Sequence, residues 1–363
     1  MRIALVGLRL SVGNRLMTTT LLETFRAQGH EVAFVGDRSY GPASDVPVLA
    51  VSDGSTYGAM LRDFLRPDLY RRVTRFLEQF VPDLCYFPSV HPAAAVLGWY
   101  VRKRRKEGLR PRIAMHIHDP IPHPGPAALP IWFTQLLQTR AADRLVVYGA
   151  TLRDWLTRRY RVATDKVIVI PHGAYRPVRK EPPRGADYRW FSLVGRITSY
   201  KGIDVFLEAA RILLQRFPEA RFFLGGAGDL SPYREGIARL GRSLTVENRE
   251  LTDGEIDAIS RDSWSVVLPY SSGTQSGVIP LAYYNAAPVI VSQVGALPEL
   301  VVDRVTGFIV RPGDPLALVD AMAQLYRNRE LREHMGLRAF EYYREHLRWD
   351  RIGEMLLTRL MES

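Results

Sequence analysis

Two cations, Arg196 and Lys201, lie just after an apolar run and just before a strongly helical stretch. The segment reads LVGRITSYKGIDVF over residues 193–206, so the apolar run ends at Gly195. The free amides and the dipole of a helix start attract anions, and an arginine fork and a mobile lysine charge add to that attraction. The order of glycines and lysine differs from that of a Walker loop. The segment nevertheless predicts a site for a phosphate or a diphosphate.

A second segment of this kind is rich in small and hydroxyl-bearing residues. It reads PYSSGTQSGV over residues 269–278 and leads into an apolar helix predicted from Val278. Ser276, Gly277 and Val278 would present successive backbone amides at that helix start. Serine and threonine are also ordinary helix caps, so this segment alone does not separate a cap from an anion site. Two such helix starts on one sheet favour a bound diphosphate.

In the first half of the chain, the segment HIHDPIPHPG follows another apolar run. His116 and His118 alternate along a predicted strand and therefore share a face. Zinc is disfavoured because no further His or Cys stands at ligand spacing. A lone histidine is usually a packing or capping residue, but the strand end and the adjacent Asp119 favour His118 as a site residue. Gly13 would let the backbone approach a phosphate or a sugar, although the G-x-G-x-x-G spacing is absent.

Each of these segments follows an apolar run, and such runs alternate with helical patterns in both halves of the chain. Short, wholly apolar runs are typical of a parallel sheet that is covered on both faces. They predict strands at residues 3–8, 31–37, 83–89, 112–119, 143–149, 166–175, 190–196, 220–226, 263–270, 287–293 and 306–312. A Pro-rich stretch at 176–189 is the best linker candidate. Two successive βαβ series predict an α/β protein with two Rossmann-like domains and a ligand cleft at the carboxyl ends of the strands.

Length and composition narrow the class of protein. The chain has 363 residues, 47% of them hydrophobic and 24% charged, which is typical of a globular protein with two domains. The single Cys85 cannot pair within the chain and is expected to be a packed core thiol in a reducing compartment. No apolar run approaches the ~20 residues that span a bilayer, and the first residues do not resemble a signal peptide. These features predict a cytoplasmic location.

The positive charge is concentrated in the first half of the chain. The formal net charge is +11, and residues 1–175 carry a surplus of ten while residues 176–363 carry a surplus of one. The clusters at 66–76 and 101–112 contribute most of this surplus. They would attract an anionic membrane, a nucleic acid or a phosphorylated ligand, or would be solvated helix ends. Nucleic acid is disfavoured because the RKRRK run contains no aromatic residues for base stacking.

The order of these motifs along the chain resembles retaining glycosyltransferases of family 4. The strand followed by His-Asp, IPHG, GR-x4-KG, a GGAG loop, PYSS…SGVIPLAYYNAAPVI and VGALPE recur in that order. The resemblance implies the GT-B fold, two Rossmann-like domains facing each other across a cleft. It implies an acceptor-binding domain at 1–175, a nucleotide-sugar-binding domain at 176–345 and a helix at 346–363 that crosses back to the first domain. It also implies sugar transfer from a nucleotide sugar without a metal or other cofactor.

The resemblance also assigns roles to individual residues. Arg196 and Lys201 match the cations that bind the donor diphosphate and stabilise the leaving group. His118, with Asp119 beside it, matches the histidine of the sugar pocket, so these four are the implied catalytic residues. The loop at 225–228 matches one that lies close to the nucleoside. The implied donor-binding residues are Gly13, Gly195, Gly226, Arg249, Glu250, Thr274, Gln275, Ser276, Gly277 and Val278.

The sequence departs from the family at two positions. The family commonly has two glutamates eight residues apart, and Thr274 and Ala282 stand there in this chain. Their loss leaves the identity of the donor open, and Glu299 matches a different position. A related subset of the family carries this TQSGV…LAY version.

Four other functions compete with that of a glycosyltransferase with a glycan or lipid-linked acceptor. A homologue that only binds nucleotide sugar and an epimerase of the same fold stay as alternatives. A glycoside hydrolase is disfavoured because no pair of carboxylates is evident. Binding of nucleic acid is disfavoured because the basic RKRRK run contains no aromatic residues. The basic clusters extend the predicted location to the inner face of the membrane.

Overall fold

The computed structural model describes residues 1–8, 12–37, 45–52, 57–104, 111–121, 128–183 and 187–362. The chain forms two compact units, Met1–Ile170 with Trp349–Ser363 and Pro171–Arg348. We refer to them as unit 1 and unit 2. Within the described residues, no helix combines the length and the apolar character that crossing a bilayer requires.

Unit 1 is built on a seven-stranded parallel sheet. In chain order its strands are β1 (Arg2–Gly7), β2 (Glu31–Asp37), β3 (Val48–Ser52), β4 (Leu84–Phe87), β5 (Arg112–His116), β6 (Arg144–Tyr148) and β7 (Val167–Ile170). The order across the sheet is β3-β2-β1-β4-β5-β6-β7. The helices between them are α1 (Val12–Ala27), α2 (Tyr57–Phe64), α3 (Pro67–Phe80), α4 (Pro92–Arg104), α5 (Ala128–Ala141) and α6 (Ala150–Tyr160). The central strands are buried, and Cys85 on β4 is a fully buried thiol, as predicted.

Unit 2 has a six-stranded parallel sheet. Its strands are β8 (Trp190–Val194), β9 (Phe222–Gly225), β10 (Leu244–Glu247), β11 (Ser263–Leu268), β12 (Val289–Ser292) and β13 (Gly307–Val310). The order across the sheet is β10-β9-β8-β11-β12-β13. The helices are α7 (Ile203–Arg216), α8 (Arg234–Leu240), α9 (Asp253–Arg261), α10 (Val278–Tyr284), α11 (Pro315–Arg327) and α12 (Arg329–Tyr342). A five-residue π-helix, Tyr343–Leu347, follows α12.

Two apolar layers cover the faces of the sheet in unit 2. Phe222 and Leu224 of β9 belong to one layer, while Phe223 between them belongs to the other. This alternation follows from the two-residue period of a strand. Helix α7 buries one apolar stripe against the first layer, formed by Ile203, Phe206, Leu207, Ala209, Ala210 and Leu213. Both faces are therefore covered by the described residues, which leaves the ends of the strands as the place for a ligand.

The division between the units lies at Ile170 and Pro171, five residues before the predicted 175/176. The segment after Ile170 is held by unit 2. The Ala174 amide donates to the Leu347 carbonyl oxygen, and Arg176 forms ion pairs with Asp253 and Asp257. The predicted linker at 176–189 thus begins inside unit 2.

The last helix of the chain, α13 (Trp349–Met361), belongs to unit 1. Its apolar face buries Trp349, Ile352 and Leu356. Arg359 donates to the carbonyl oxygen of Val169, and Arg112 donates to that of Leu360. The helix is therefore anchored on the sheet of unit 1, and it begins three residues later than the predicted 346.

Candidate functional site

The two predicted anion-binding segments of unit 2 meet at the carboxyl ends of β8 and β11, which are neighbours in the sheet. The Ser271 amide donates to the Tyr200 carbonyl oxygen at 2.8 Å. Gly202 packs so closely that a Cβ there would lie 1.9 Å from the Pro269 carbonyl oxygen, and its φ of +65° is left-handed. A side chain at 202 would therefore push the two loops apart.

Lys201 is the charged group at this junction. It is 6% exposed, and its Nζ lies 3.5 Å from the Val194 carbonyl oxygen and 5.4 Å from the centre of the Tyr270 ring. Burial is the main cause that lowers the pKa of Lys201 to about 8; in that balance Tyr200 raises the pKa and the nearby charge of Arg196 lowers it. The side chain is therefore mostly protonated at pH 7. A desolvated ammonium acts strongly on any anion that reaches it.

Gly195 provides the space that Lys201 occupies. Its φ is +106°, and a Cβ built on it would lie 2.7 Å from the Lys201 Nζ. Arg196, the next residue, is exposed. The structure thus brings Gly195, Arg196 and Lys201 to the end of one strand, with Arg196 at the surface and Lys201 beneath it.

The 273–278 turn lies on the other side of this junction. The hydroxyls of Tyr270 and Ser276 are 3.2 Å apart, and the Val278 amide donates to Ser276 Oγ at 3.3 Å. Thr274 is buried, and its carbonyl oxygen accepts the Ala296 amide. Gln275 follows it with its side-chain oxygen buried. Helix α10 has only seven residues, so the predicted helix start at Val278 contributes a smaller dipole than the 14-residue α7.

Two residues of this site were not predicted from the sequence. Tyr270 contacts both loops, as described above. His172 packs against the backbone at Gly277, where an added Cβ would lie 3.0 Å from the ring. Its Nδ1 lies 3.1 Å from the Gly173 carbonyl oxygen, which can only accept, so Nδ1 carries the proton. The motifs PYSS and IPHG were the available signals, but neither indicates a contact with a distant loop.

Gly226, Arg249 and Glu250 lie toward the β10 edge of the same sheet. The Gly226 amide donates to the Glu247 carbonyl oxygen at 2.9 Å. The Arg249 guanidinium is paired with Glu255 at 2.6 Å and with Glu247 at 3.2 Å. Arg249 and the Thr252 cap of α9 together lower the pKa of Glu255 to about 2. The Arg249 side chain is thus engaged in an exposed local network, and Glu250 beside it is also exposed.

In unit 1, His118 lies just beyond the carboxyl end of β5. Its Nε2 is 2.7 Å from the Pro88 carbonyl oxygen, so this nitrogen carries the proton. The His118 ring stacks on His116 with 4.2 Å between centroids, which confirms that the two rings share a face. Burial lowers the pKa of His118, and the Pro88 bond and Asp119 oppose that shift. His118 is therefore mostly neutral at pH 7, with Nδ1 as a hydrogen-bond acceptor.

The other predicted site residues of unit 1 are Asp119, His116 and Gly13. The Asp119 carbonyl oxygen accepts from Gln135 Nε2 at 2.7 Å. His116 Nδ1 is 2.9 Å from the Tyr86 hydroxyl, and burial raises the pKa of Tyr86. Gly13 lies in the first turn of α1, and the residues before that helix at 9–11 are outside the described part. In the described ranges, no three His, Cys, Asp or Glu side chains are grouped as they would be around a metal ion.

The two basic clusters differ in how their charges are used. On α3, Arg71, Arg72 and Arg75 are all exposed. On the last turn of α4, Arg102 pairs with Asp143 at 2.8 Å and Arg104 with Glu78 at 3.6 Å, while Lys103 is exposed. The remainder of that cluster, 105–110, lies outside the described residues. In the described part of these two clusters, the exposed positive charges are therefore chiefly those of α3.

Comparison with known families and proteins identifies relatives of both halves. Residues 16–174 match a model described as Glycosyltransferase Family 4, and residues 189–328 match one described as Glycosyl transferases group 1. A D-inositol 3-phosphate glycosyltransferase of Streptomyces scabiei is 32% identical over 252 residues. That alignment covers 62% of this chain and 55% of the relative, so it spans about half of the relative's length.

Solved structures resemble the whole chain. A sucrose-phosphate synthase from Thermosynechococcus elongatus has a TM-score of 0.75 at 18% identity, covering 99% of this chain and 98% of that one. The Anabaena HepE protein in complex with UDP has a TM-score of 0.73 at 16% identity, covering 99% of each chain. At these identities the likeness shows the fold, which is GT-B with two Rossmann-like units. The predicted fold class is thereby confirmed.

Proposed function

Because this chain belongs to the glycosyltransferases, with a family 4 region followed by a group 1 region, we propose that it transfers a sugar from a nucleotide-sugar donor to a glycan or lipid-linked acceptor. Retention of the anomeric configuration is part of the proposal. The observation that carries it is the buried Lys201 ammonium beneath Gly195, beside the exposed Arg196. The described groups whose charges shift the pKa of this lysine are Tyr200 and Arg196, neither of them a carboxylate, so its charge would be available to an external anion.

The proposed role of the two cations follows from the charge that the reaction creates. When the bond between the anomeric carbon and the diphosphate oxygen breaks, negative charge grows on the departing oxygen. A preorganised cation in a dry site stabilises that charge more than it stabilises the intact donor. Lys201 is buried and held by packing on both sides, so it needs little reorganisation. Arg196, at the surface, would bind the diphosphate with its planar fork.

His118 supplies a different kind of contact in this proposal. With Nε2 donating to Pro88, the neutral ring offers Nδ1 to a hydroxyl group of the donor sugar or the acceptor. Thr274 stands where the family commonly has a glutamate, and Gln275 follows it in the same turn. Amide and hydroxyl groups can both donate and accept, so they can hydrogen-bond sugar hydroxyls without a charge.

The location of the proposed reaction rests on the exposed arginines of α3. We place the protein in the cytoplasm, held at an anionic membrane face by Arg71, Arg72 and Arg75. Each Lys or Arg near such a surface contributes about 1 kcal/mol. This placement would bring the acceptor-binding unit close to a lipid-linked acceptor.

The experiment that tests the function is a binding panel followed by turnover. UDP-, GDP- and ADP-sugars would be compared by calorimetry and thermal unfolding, starting with UDP because HepE is bound to UDP in its structure. A donor at a hundredfold excess over its Kd should stabilise the protein by about 2.7 kcal/mol. Proton NMR of the product with a positive donor would show whether the anomeric configuration is retained.

Each outcome of that panel has a defined meaning. Binding with sugar transfer supports the proposal. Binding without transfer to any glycan or lipid acceptor would favour a homologue that only binds nucleotide sugar. Interconversion of the donor without an acceptor would favour the epimerase. An absence of binding to every nucleotide sugar would overturn the donor assignment.

A further inference from the structure

Tyr270 contacts both the Lys201 ammonium and the 273–278 turn. The face of its ring lies 5.4 Å from Lys201 Nζ, and its hydroxyl is 3.2 Å from that of Ser276. It is 3% exposed, and the Tyr200 ring packs against it nearly edge-on, at 79° between planes. The ring is thus fixed by packing rather than by the Lys201 contact itself.

Lys201 has few other groups to stabilise its charge. The Val194 carbonyl oxygen is at 3.5 Å, the outer limit of a hydrogen bond. The titratable groups that act on it are Tyr200 and Arg196, and Arg196 repels it. An aromatic face attracts a cation within about 6 Å, and the attraction grows when the pair is desolvated. The Tyr270 ring therefore takes the place that a carboxylate holds in an ordinary buried ion pair.

We propose that Tyr270 is a positioning residue for the donor diphosphate. Its ring holds Lys201 in the charged form and in place beneath Gly195, without neutralising it as a carboxylate would. Its hydroxyl sets the 273–278 turn through Ser276, so one side chain aligns both loops. This inference rests on the proposed function for what Lys201 binds, but the contact between Tyr270 and Lys201 is tested independently of any donor.

The first test measures the pKa of Lys201 in the protein without donor. Lysine labelled with ¹³C at Cε reports this pKa by NMR titration, and the Lys201→Met spectrum assigns the signal. Tyr270→Leu removes the ring, and the pKa should fall by about one unit, which corresponds to a cation–π contact of about 1.4 kcal/mol. Tyr270→Phe keeps the ring, and the pKa should stay within a few tenths of the wild-type value.

Tyr283→Leu is the matched control. Tyr283 is also a buried tyrosine of unit 2 whose hydroxyl meets another hydroxyl, that of Thr306 at 2.7 Å. Its loss should lower the unfolding temperature about as much as Tyr270→Leu does, yet leave the Lys201 pKa unchanged. Should Tyr270→Leu not fold, fluorinated phenylalanines at position 270 keep the ring's shape while weakening its negative face. The pKa should then fall stepwise with each added fluorine.

The second test follows kcat/KM against pH with the donor that the binding panel identifies. Activity that needs protonated Lys201 falls as pH rises through its pKa, because kcat/KM reports the free enzyme. The alkaline limb of the kcat/KM profile should move to lower pH in Tyr270→Leu and stay in place in Tyr270→Phe. Tyr270→Phe should raise KM for the donor about two- to fivefold through the loosened turn, with the limb in place. Equal Lys201 pKa values in all ring variants would overturn the inference. If the Lys201 pKa shifts as expected in the Tyr270 variants but the protein binds no donor, the proposed function would be overturned instead.

Discussion

The carboxyl ends of the two parallel sheets carry side chains that differ in charge at pH 7: a cation in unit 2 and a neutral imidazole in unit 1. At the edge in unit 2, Lys201 is buried beside an aromatic ring, whereas at the edge in unit 1 His118 stacks on His116. Burial lowers the pKa of both side chains. For Lys201 the pKa remains at about 8, above neutral pH, so the cation persists. For His118 the ordinary value is already near 6.5, so lowering it leaves a neutral ring.

This difference shows how one physical effect can prepare two functions. Desolvation disfavours the charged form of any base, and the starting pKa decides which form remains at pH 7. In the proposed function, unit 2 would thereby keep a cation for a diphosphate, and unit 1 would keep a neutral acceptor for a hydroxyl group.

The largest expected effect is that of removing the cation of unit 2. Lys201→Ala should cost about 2–4 kcal/mol of transition-state stabilisation, a fall of roughly 30- to 1000-fold in kcat/KM. Steady-state kinetics with the identified donor measures it.

Lys166→Ala is its matched control in unit 1. Lys166 is also partly buried and donates to a carbonyl oxygen, that of Thr139 at 2.7 Å, and burial lowers its pKa as well. It should change stability but leave kcat/KM within about twofold. Equal losses in the two variants would mean that any buried lysine matters, and the contrast between the edges would be lost.

The next effect separates the surfaces of the two units. Replacing Arg71, Arg72 and Arg75 with Gln should weaken binding to anionic vesicles by up to about 3 kcal/mol, and added salt should reduce the wild-type binding toward that level. Vesicle co-sedimentation with and without phosphatidylserine measures it. The triple change of Arg234, Arg242 and Arg311, all exposed in unit 2, removes the same charge and should have a much smaller effect. Equal losses of vesicle binding in the two triple variants would mean that the net charge of the protein, not the surface of α3, determines binding.

A substitution at Gly195 tests whether donor binding depends on the position of Lys201 as well as on its charge. Gly195→Ala would add a Cβ 2.7 Å from Lys201 Nζ and should weaken donor binding about tenfold. Gly313 also has a positive φ, +70°, and nothing lies within 4 Å of a Cβ added there. Gly313→Ala should therefore introduce backbone strain at a positive φ without affecting donor binding. Calorimetric titration of both variants would show the difference, and similar affinities would mean that Lys201 can move without loss.

The sequence predicted the centre of each sheet better than its edges. All eleven predicted strands are present, and the two that were missed, β3 and β10, are each at an edge. Their residues are only partly buried, so they lack the continuous apolar runs that mark central strands. The spacing of Arg196 and Lys201 did predict their common strand end. It could not show that Lys201 is buried and Arg196 exposed, since Lys201 packs against Tyr270, which is 69 residues away in the chain.

The smallest expected effect concerns the imidazole of unit 1. Because its folded pKa is below 6.5, the unfolded chain binds the proton more readily, and the free energy of unfolding should rise with pH as pH increases through that window. His118→Gln keeps a donor for the Pro88 carbonyl oxygen but does not titrate, so its stability should vary less between pH 5 and 7. Urea unfolding of both proteins at several pH values measures the difference. Parallel curves would mean that His118 is protonated as easily in the folded protein as in water, and the neutral edge of unit 1 would have to be abandoned.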